Sequence, residues 1–163
     1  MNKAGFSLIE LVMVIIILGI AIPTSIYVLG ALTERSVEAE AMTVATNLAQ
    51  RLIEEIRSKR FDENDPPEWT PYNLLGQDDG EDPGNKLTFD DVDDFDGWSQ
   101  NPIPDFDKFN SEVCIFYVRG TDLDAEASFV EGEASYTGYK RVEVVISVAD
   151  GGSVSLATLV GGY

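Results

Sequence analysis

The sequence predicts an α+β fold: a long N-terminal α-helix whose second half packs against a small antiparallel β-sheet. Three observations predict it. An apolar run over residues 11–32 carries no charge, an amphipathic helical stripe follows it over residues 33–61, and alternating β-branched segments fill the last third of the chain.

The apolar run is long enough to span a bilayer as a helix. Glu10 stands at its mouth. A mid-span acid costs about 2.5–3.5 kcal/mol on insertion scales and less near an end, so this carboxylate calls for a compensating cation. Lys3 and the initiator amine precede the run, whereas Glu34, Arg35, Glu38 and Glu40 follow it without a positive excess. The positive-inside rule then places the N-terminus in the cytoplasm and the acidic bulk outside. Pro23 cannot donate to the carbonyl of Gly19 and is expected to kink or open the helix, with Gly30 a weaker softening point.

Beyond the run, Val37, Ala41, Val44, Leu48, Leu52 and Ile56 recur at steps of three and four and predict one buried stripe. Glu34, Glu38, Asn47, Arg51, Glu54 and Arg57 line the opposite face, and Arg51–Glu55 and Glu55–Lys59 are spaced for ion pairs. Asn64-Asp65-Pro66-Pro67 is expected to stop a helix that reaches Phe61. Residues 62–110 are acidic but too aromatic for plain disorder, and read as an ordered connection that Trp69 and Trp98 pin to the sheet. Three alternating segments follow, at residues 113–118, 139–149 and 154–160. Asp150-Gly151-Gly152 marks a hairpin between the last two, and residues 121–135 form an acidic loop in the first connection. Cys114, inside the first segment, reads as a small core residue.

Lys3-Ala4-Gly5-Phe6-Ser7-Leu8-Ile9-Glu10, followed by an uncharged helix, resembles the class III signal of type IV pilins and pseudopilins. The resemblance implies cleavage by a prepilin peptidase after Gly5, methylation of the new N-terminus at Phe6, and pairing of Glu10 with the Phe6 amine of a neighbouring subunit. It implies a leader at 1–5, a membrane or filament-core helix at 6–32, its amphipathic continuation at 33–61, and a sheet at 111–163 after the connection. The expected partners are other pilin subunits, the peptidase, and an assembly ATPase with its platform. The expected location is the inner membrane before assembly and an extracellular or periplasmic filament after it. Phe89-Asp90-Asp91-Val92-Asp93-Asp94-Phe95-Asp96-Gly97 and the Lys140-Arg141-Val142 hairpin entry resemble minor pilins of the mannose-sensitive haemagglutinin type. Pro23 falls four residues after the matching glycine, where the family has eight, and the C-terminal cysteine pair of many pilins is missing, so helix melting and loop stapling do not carry over.

Composition narrows the function further. A net charge of −18 argues against nucleic acid, whose binding needs Lys and Arg on phosphates. With no histidine, His-dependent acid–base chemistry and the commonest zinc ligand are missing, and no nucleophile elbow or phosphate loop is present. The expectation is a structural protein without an enzymatic role or a cofactor, apart from a candidate structural calcium. Its ligands would be Asp90, Asp91, Asp93, Asp94 and Asp96, or Asp78, Asp79, Glu81 and Asp82 around Gly80. Neither set fits an EF-hand, because counting back from Gly97 puts Val92 at the first ligand position; the alternative is solvated loops whose acids cap turns. A secretion pseudopilin, an adhesive tip subunit and a membrane-anchored enzyme remain the other readings.

Overall fold

A computed structural model describes residues 7–64, 68–78, 80–129, 136–149 and 151–162. The chain divides into two compact units, Met1–Glu40 and Ala41–Tyr163. Helix α1 (Leu8–Arg57) contributes to both.

Over residues 11–32 α1 is apolar on every side: Leu11, Val14, Ile15, Leu18, Ile22, Ile26 and Leu29 are all exposed. A helix without a polar face belongs in a membrane or inside a bundle. This one is long and apolar enough to cross a membrane. The hydroxyls of Thr24, Ser25 and Thr33 are satisfied within the helix, donating to the carbonyls of Ile20, Ala21 and Leu29 at 2.8, 2.8 and 2.9 Å. The expected opening at Pro23 does not occur, and the helix runs unbroken through it. Proline removes only its own N–H from the ladder, and the flanking hydroxyls add bonds on the same turns.

In the second unit the buried line of α1 is Ala45, Ala49, Leu52 and Ile56. This corrects the expected stripe: Ala41, Val44 and Leu48 flank the contact half-buried, and Val37 is exposed. The two alanines carry little hydrophobic signal in sequence, yet both are fully buried in the core. The helix also ends at Arg57 rather than Phe61. Tertiary bonds capture the chain first, as Lys59 Nζ donates to the Phe89 carbonyl at 2.5 Å and Val92 N–H donates to the Arg60 carbonyl at 2.9 Å. Glu55 meets Lys86 at 2.5 Å instead of pairing along the helix.

The sheet is antiparallel throughout. Strands β1 (Ser99–Gln100), β2 (Phe109–Arg119), β4 (Tyr139–Val148) and β5 (Ser153–Gly161) lie in that order, and β3 (Asp122–Glu126) pairs with the end of β2. Thus the expected 121–135 loop contains a strand, while residues 130–135 lie outside the described residues. The expected β4–β5 hairpin is present, with Ser147 opposite Ser153, although Asp150 of its turn is outside the described residues. Alternation puts Val113 and Ile115 of β2 and Val142, Val144 and Ile146 of β4 against the helix.

That same alternation overturns one expectation. Cys114 lies between two inward residues and is therefore exposed, not core. Partial burial and the acids around it push its thiol pKa up, away from a reactive thiolate.

Among the described residues of the 62–110 connection, several aromatic rings are buried. A 3-10 turn (Asp93–Phe95) carries Phe95 into the core beside Phe89, Val92 and Trp98, with edge-on ring contacts at 4.9 and 6.2 Å. Trp69 packs edge-on against Phe61 at 4.9 Å. A Cβ on Gly162 would lie 2.7 Å from the Trp69 ring, which explains a glycine there.

Candidate functional site

Two places carry unusual chemistry: a buried charge cluster in the second unit and the start of α1 in the first. The cluster grows from a parallel bridge between Arg60 and Asp91 that lays the chain leaving α1 beside the acidic run. Lys140 enters from β4, in phase with Val142, Val144 and Ile146, and is fully buried. Its ammonium donates to the Phe61 carbonyl and Asp62 Oδ2, both at 2.8 Å, and to Asp93 Oδ1. Three donors meet three acceptors, between the rings of Phe61 and Tyr117. Asp62 also accepts from the Asn64 N–H at 3.1 Å and from the Thr70 N–H and hydroxyl at 3.0 Å each. The Tyr117 hydroxyl donates to the Thr70 carbonyl at 2.8 Å.

Burial raises the Asp62 pKa, but the hydrogen bond and charge of Lys140, with the two amides, outweigh it and hold the carboxyl below its usual range. Asp93 is pushed up to about 6 by burial, with Lys140 opposing. Asp91, fully buried and facing Glu63 and Asp93, is pushed up to about 9, mainly by burial. A carboxyl whose folded pKa is raised keeps its proton when the unfolded chain has lost it. Its contribution to stability is therefore greatest below the unfolded value near 4 and declines until about 9. With chelator present, melting temperature is expected to fall as pH rises across that window, and Asp91→Asn is expected to flatten the fall. Thermal melts at stepped pH would check this; equal slopes in both proteins would refute it.

The sequence-predicted acids scatter among different tasks. Asp94 Oδ2 accepts from the N–H groups of Asp90 and Asp91 at 2.8 and 2.9 Å, and Asp96 Oδ1 accepts from the Ile115 N–H at 2.7 Å. Asp93 goes to Lys140. Asp90 and Asp94 come together with Glu81, whereas Asp91 joins Asp62 and Glu63. Glu81 also accepts from the Asp78 N–H at 3.0 Å, Asp82 closes a turn on the Gly84 N–H at 2.9 Å, and Asp79 lies outside the described residues. Sequence reasoning missed Asp62, Glu63 and Lys140. The signal for Lys140 was its place in the inward phase of β4.

At the start of α1, Glu10 sits exposed in the first turn, where the N–H groups of Glu10 and Leu11 donate to the Ser7 carbonyl at 3.0 and 3.2 Å. The positive end of the helix dipole favours an acid there. Gly5 and Phe6 lie outside the described residues. Only Ser7 separates Phe6 from the first helical residue, Leu8. Residues 1–22 match the family model of the prokaryotic N-terminal methylation motif. Searches of curated proteins and of solved structures returned no match.

The methylation motif covers both the predicted cleavage position and Glu10. It supports a type IV pilin-like class III signal and, with the apolar helix behind it, a membrane-anchored, pilin-like filament subunit. The motif implies processing by a prepilin peptidase and assembly with other pilins. Its family is structural rather than a class of enzyme. In the second unit a cavity of about 210 Å³ is lined by apolar side chains, Leu48, Leu52, Trp98 and Ile146 among them, and by polar and charged ones such as Arg51, Glu55 and Lys86.

Proposed function

We propose that this chain is a minor structural pilin of a type IV pilus or related filament, cut after Gly5 and held in register by Glu10 against the Phe6 amine of a neighbouring subunit. The observation that carries the reading is the methylation motif running directly into an uncharged helix with one acid in its first turn. Such a helix has no hydrophobic drive to leave lipid, whose tails are equally apolar. Close packing of side chains and a charge pair at the helix start supply the preference for a bundle. The acidic unit would then face outward, and its strong net charge would keep the filament surface soluble.

A minor rather than major role is supported by the likeness of residues 89–97 to minor pilins of the mannose-sensitive haemagglutinin type. Those residues build the core through Phe89, Val92 and Phe95. An adhesive tip would expose aromatic rings for a ligand; here Trp98 is buried and Trp69 half-buried. Imaging of filaments with the second unit labelled tests the proposal. Sparse label along surface filaments is the expected result. Dense continuous label would indicate a major pilin, and label confined to the periplasm with a secretion defect would indicate a pseudopilin.

A further inference from the structure

Asp62, Glu63 and Asp91 each offer a carboxylate oxygen, and these oxygens lie within 4.8 Å of one another. Asp62 and Asp91 are buried, Asp91 completely. Hydrogen bonds account for only part of the set. Asp91 Oδ1 accepts from the N–H groups of Asp93 and Asp94 at 2.9 and 3.3 Å, and Glu63 Oε1 accepts from Asn64 Nδ2 at 2.6 Å and shares the one hydrogen of the Thr70 hydroxyl, 3.0 Å away, with Asp62. The second oxygens, Asp91 Oδ2 and Glu63 Oε2, are buried without a hydrogen-bond partner among the described residues. Two buried carboxyl oxygens without a hydrogen-bond donor need either a proton or a cation to offset their burial. Lys140 cannot serve them, because its three N–H groups already go to Phe61, Asp62 and Asp93. Asp62 and Asp93 thus take the ammonium, and it is not shared with Glu63 or Asp91.

We propose that Asp62, Glu63 and Asp91 bind a divalent calcium-type cation, which fastens the chain leaving α1 to the acidic run that follows. The donors are all oxygen, which suits a hard cation and not zinc or copper. Calcium tolerates irregular oxygen shells, whereas magnesium demands near-ideal octahedral geometry and keeps its waters. Thr70 Oγ1, at 3.0 Å from both Asp62 Oδ1 and Glu63 Oε1, stands beside the same oxygens as a neutral donor. The site uses one acid of the Asp run, Asp91. The other two come from the segment just past α1 and are brought in by the Arg60–Asp91 bridge.

The test is titration of the full-length chain in detergent micelles, stripped with chelator, with calcium chloride. Heat of binding and thermal melting are the two readouts. One calcium per chain and a rise in melting temperature are expected. Asp91→Asn, whose amide oxygen still accepts from Asp93 and Asp94, is expected to lose both responses. Glu63→Gln is expected to do the same and decides the matter if Asp91→Asn does not fold. Asp82→Asn, in a turn outside the cluster, is expected to bind as the unaltered chain does. No heat and no shift in the unaltered chain would overturn the proposal, leaving a shared proton between Asp91 and Glu63. Unchanged binding in Asp91→Asn or Glu63→Gln, or its loss in Asp82→Asn, would overturn it as well.

Discussion

Lys140→Met is expected to lower the unfolding free energy of the second unit by about 3–5 kcal/mol, the usual cost of removing one partner from a buried charge network. Small domains are stable by about 5–15 kcal/mol, so the variant should be marginal at physiological temperature. Methionine fills much of the lysine's volume, and the loss therefore comes from charge and hydrogen bonding. Asp62, Asp93 and the Phe61 carbonyl all lose their shared donor inside a site from which water is excluded. Adding Asp93→Asn to Lys140→Met removes one of the stranded charges and is expected to restore part of the stability. Chemical denaturation of the full chain in detergent checks both steps. A Lys140→Met protein as stable as the unaltered one would mean that the ammonium is dispensable, contrary to its full burial.

Glu10→Ala is expected to leave membrane insertion and processing intact while reducing incorporation into filaments by on the order of a hundredfold or more. Insertion should improve slightly, because an acid at the edge of the span is unfavourable there. Incorporation should fail because the amine of the neighbouring Phe6, created by cleavage, would enter an apolar bundle without its counter-charge. Stranding such a charge costs about 3–5 kcal/mol, and each 1.4 kcal/mol is tenfold in an equilibrium. Glu10→Gln, which keeps a hydrogen-bond acceptor, should fall between the two. The amount of chain in sheared filaments against the amount in membranes gives the ratio directly; equal ratios for Glu10→Ala and the unaltered chain would remove the pairing from the mechanism.

Much of this architecture was legible because its signals are periodic. The charge-free run, the alternation of Val142, Val144 and Ile146, and the β4–β5 hairpin each follow from one repeated step along the chain. The features that were not legible depend on distant partners. Ala45 and Ala49 look neutral in sequence and are buried because of what packs over them from distant parts of the chain. The helix stops at Arg57 because Lys59 and Arg60 find partners at Phe89 and Val92, thirty or so residues on. Cys114 looked like core because its neighbours are apolar, but a strand has two faces and Val113 and Ile115 occupy the inner one. For the candidate site, the Asp run drew the eye through density of charge. The structure distributes those acids among turn caps, Lys140 and Ile115, and joins Asp91 to two acids from another segment. Only the N-terminal motif is compact enough in sequence to be read without the fold.

The most direct measurement of the central claim is the intact mass and N-terminal sequence of this chain recovered from sheared filaments. A filament subunit processed as proposed begins at Phe6 and carries one added methyl group on its amine. Recovery of a filament chain that still begins at Met1, or of the processed chain in membranes with none in filaments, would contradict it.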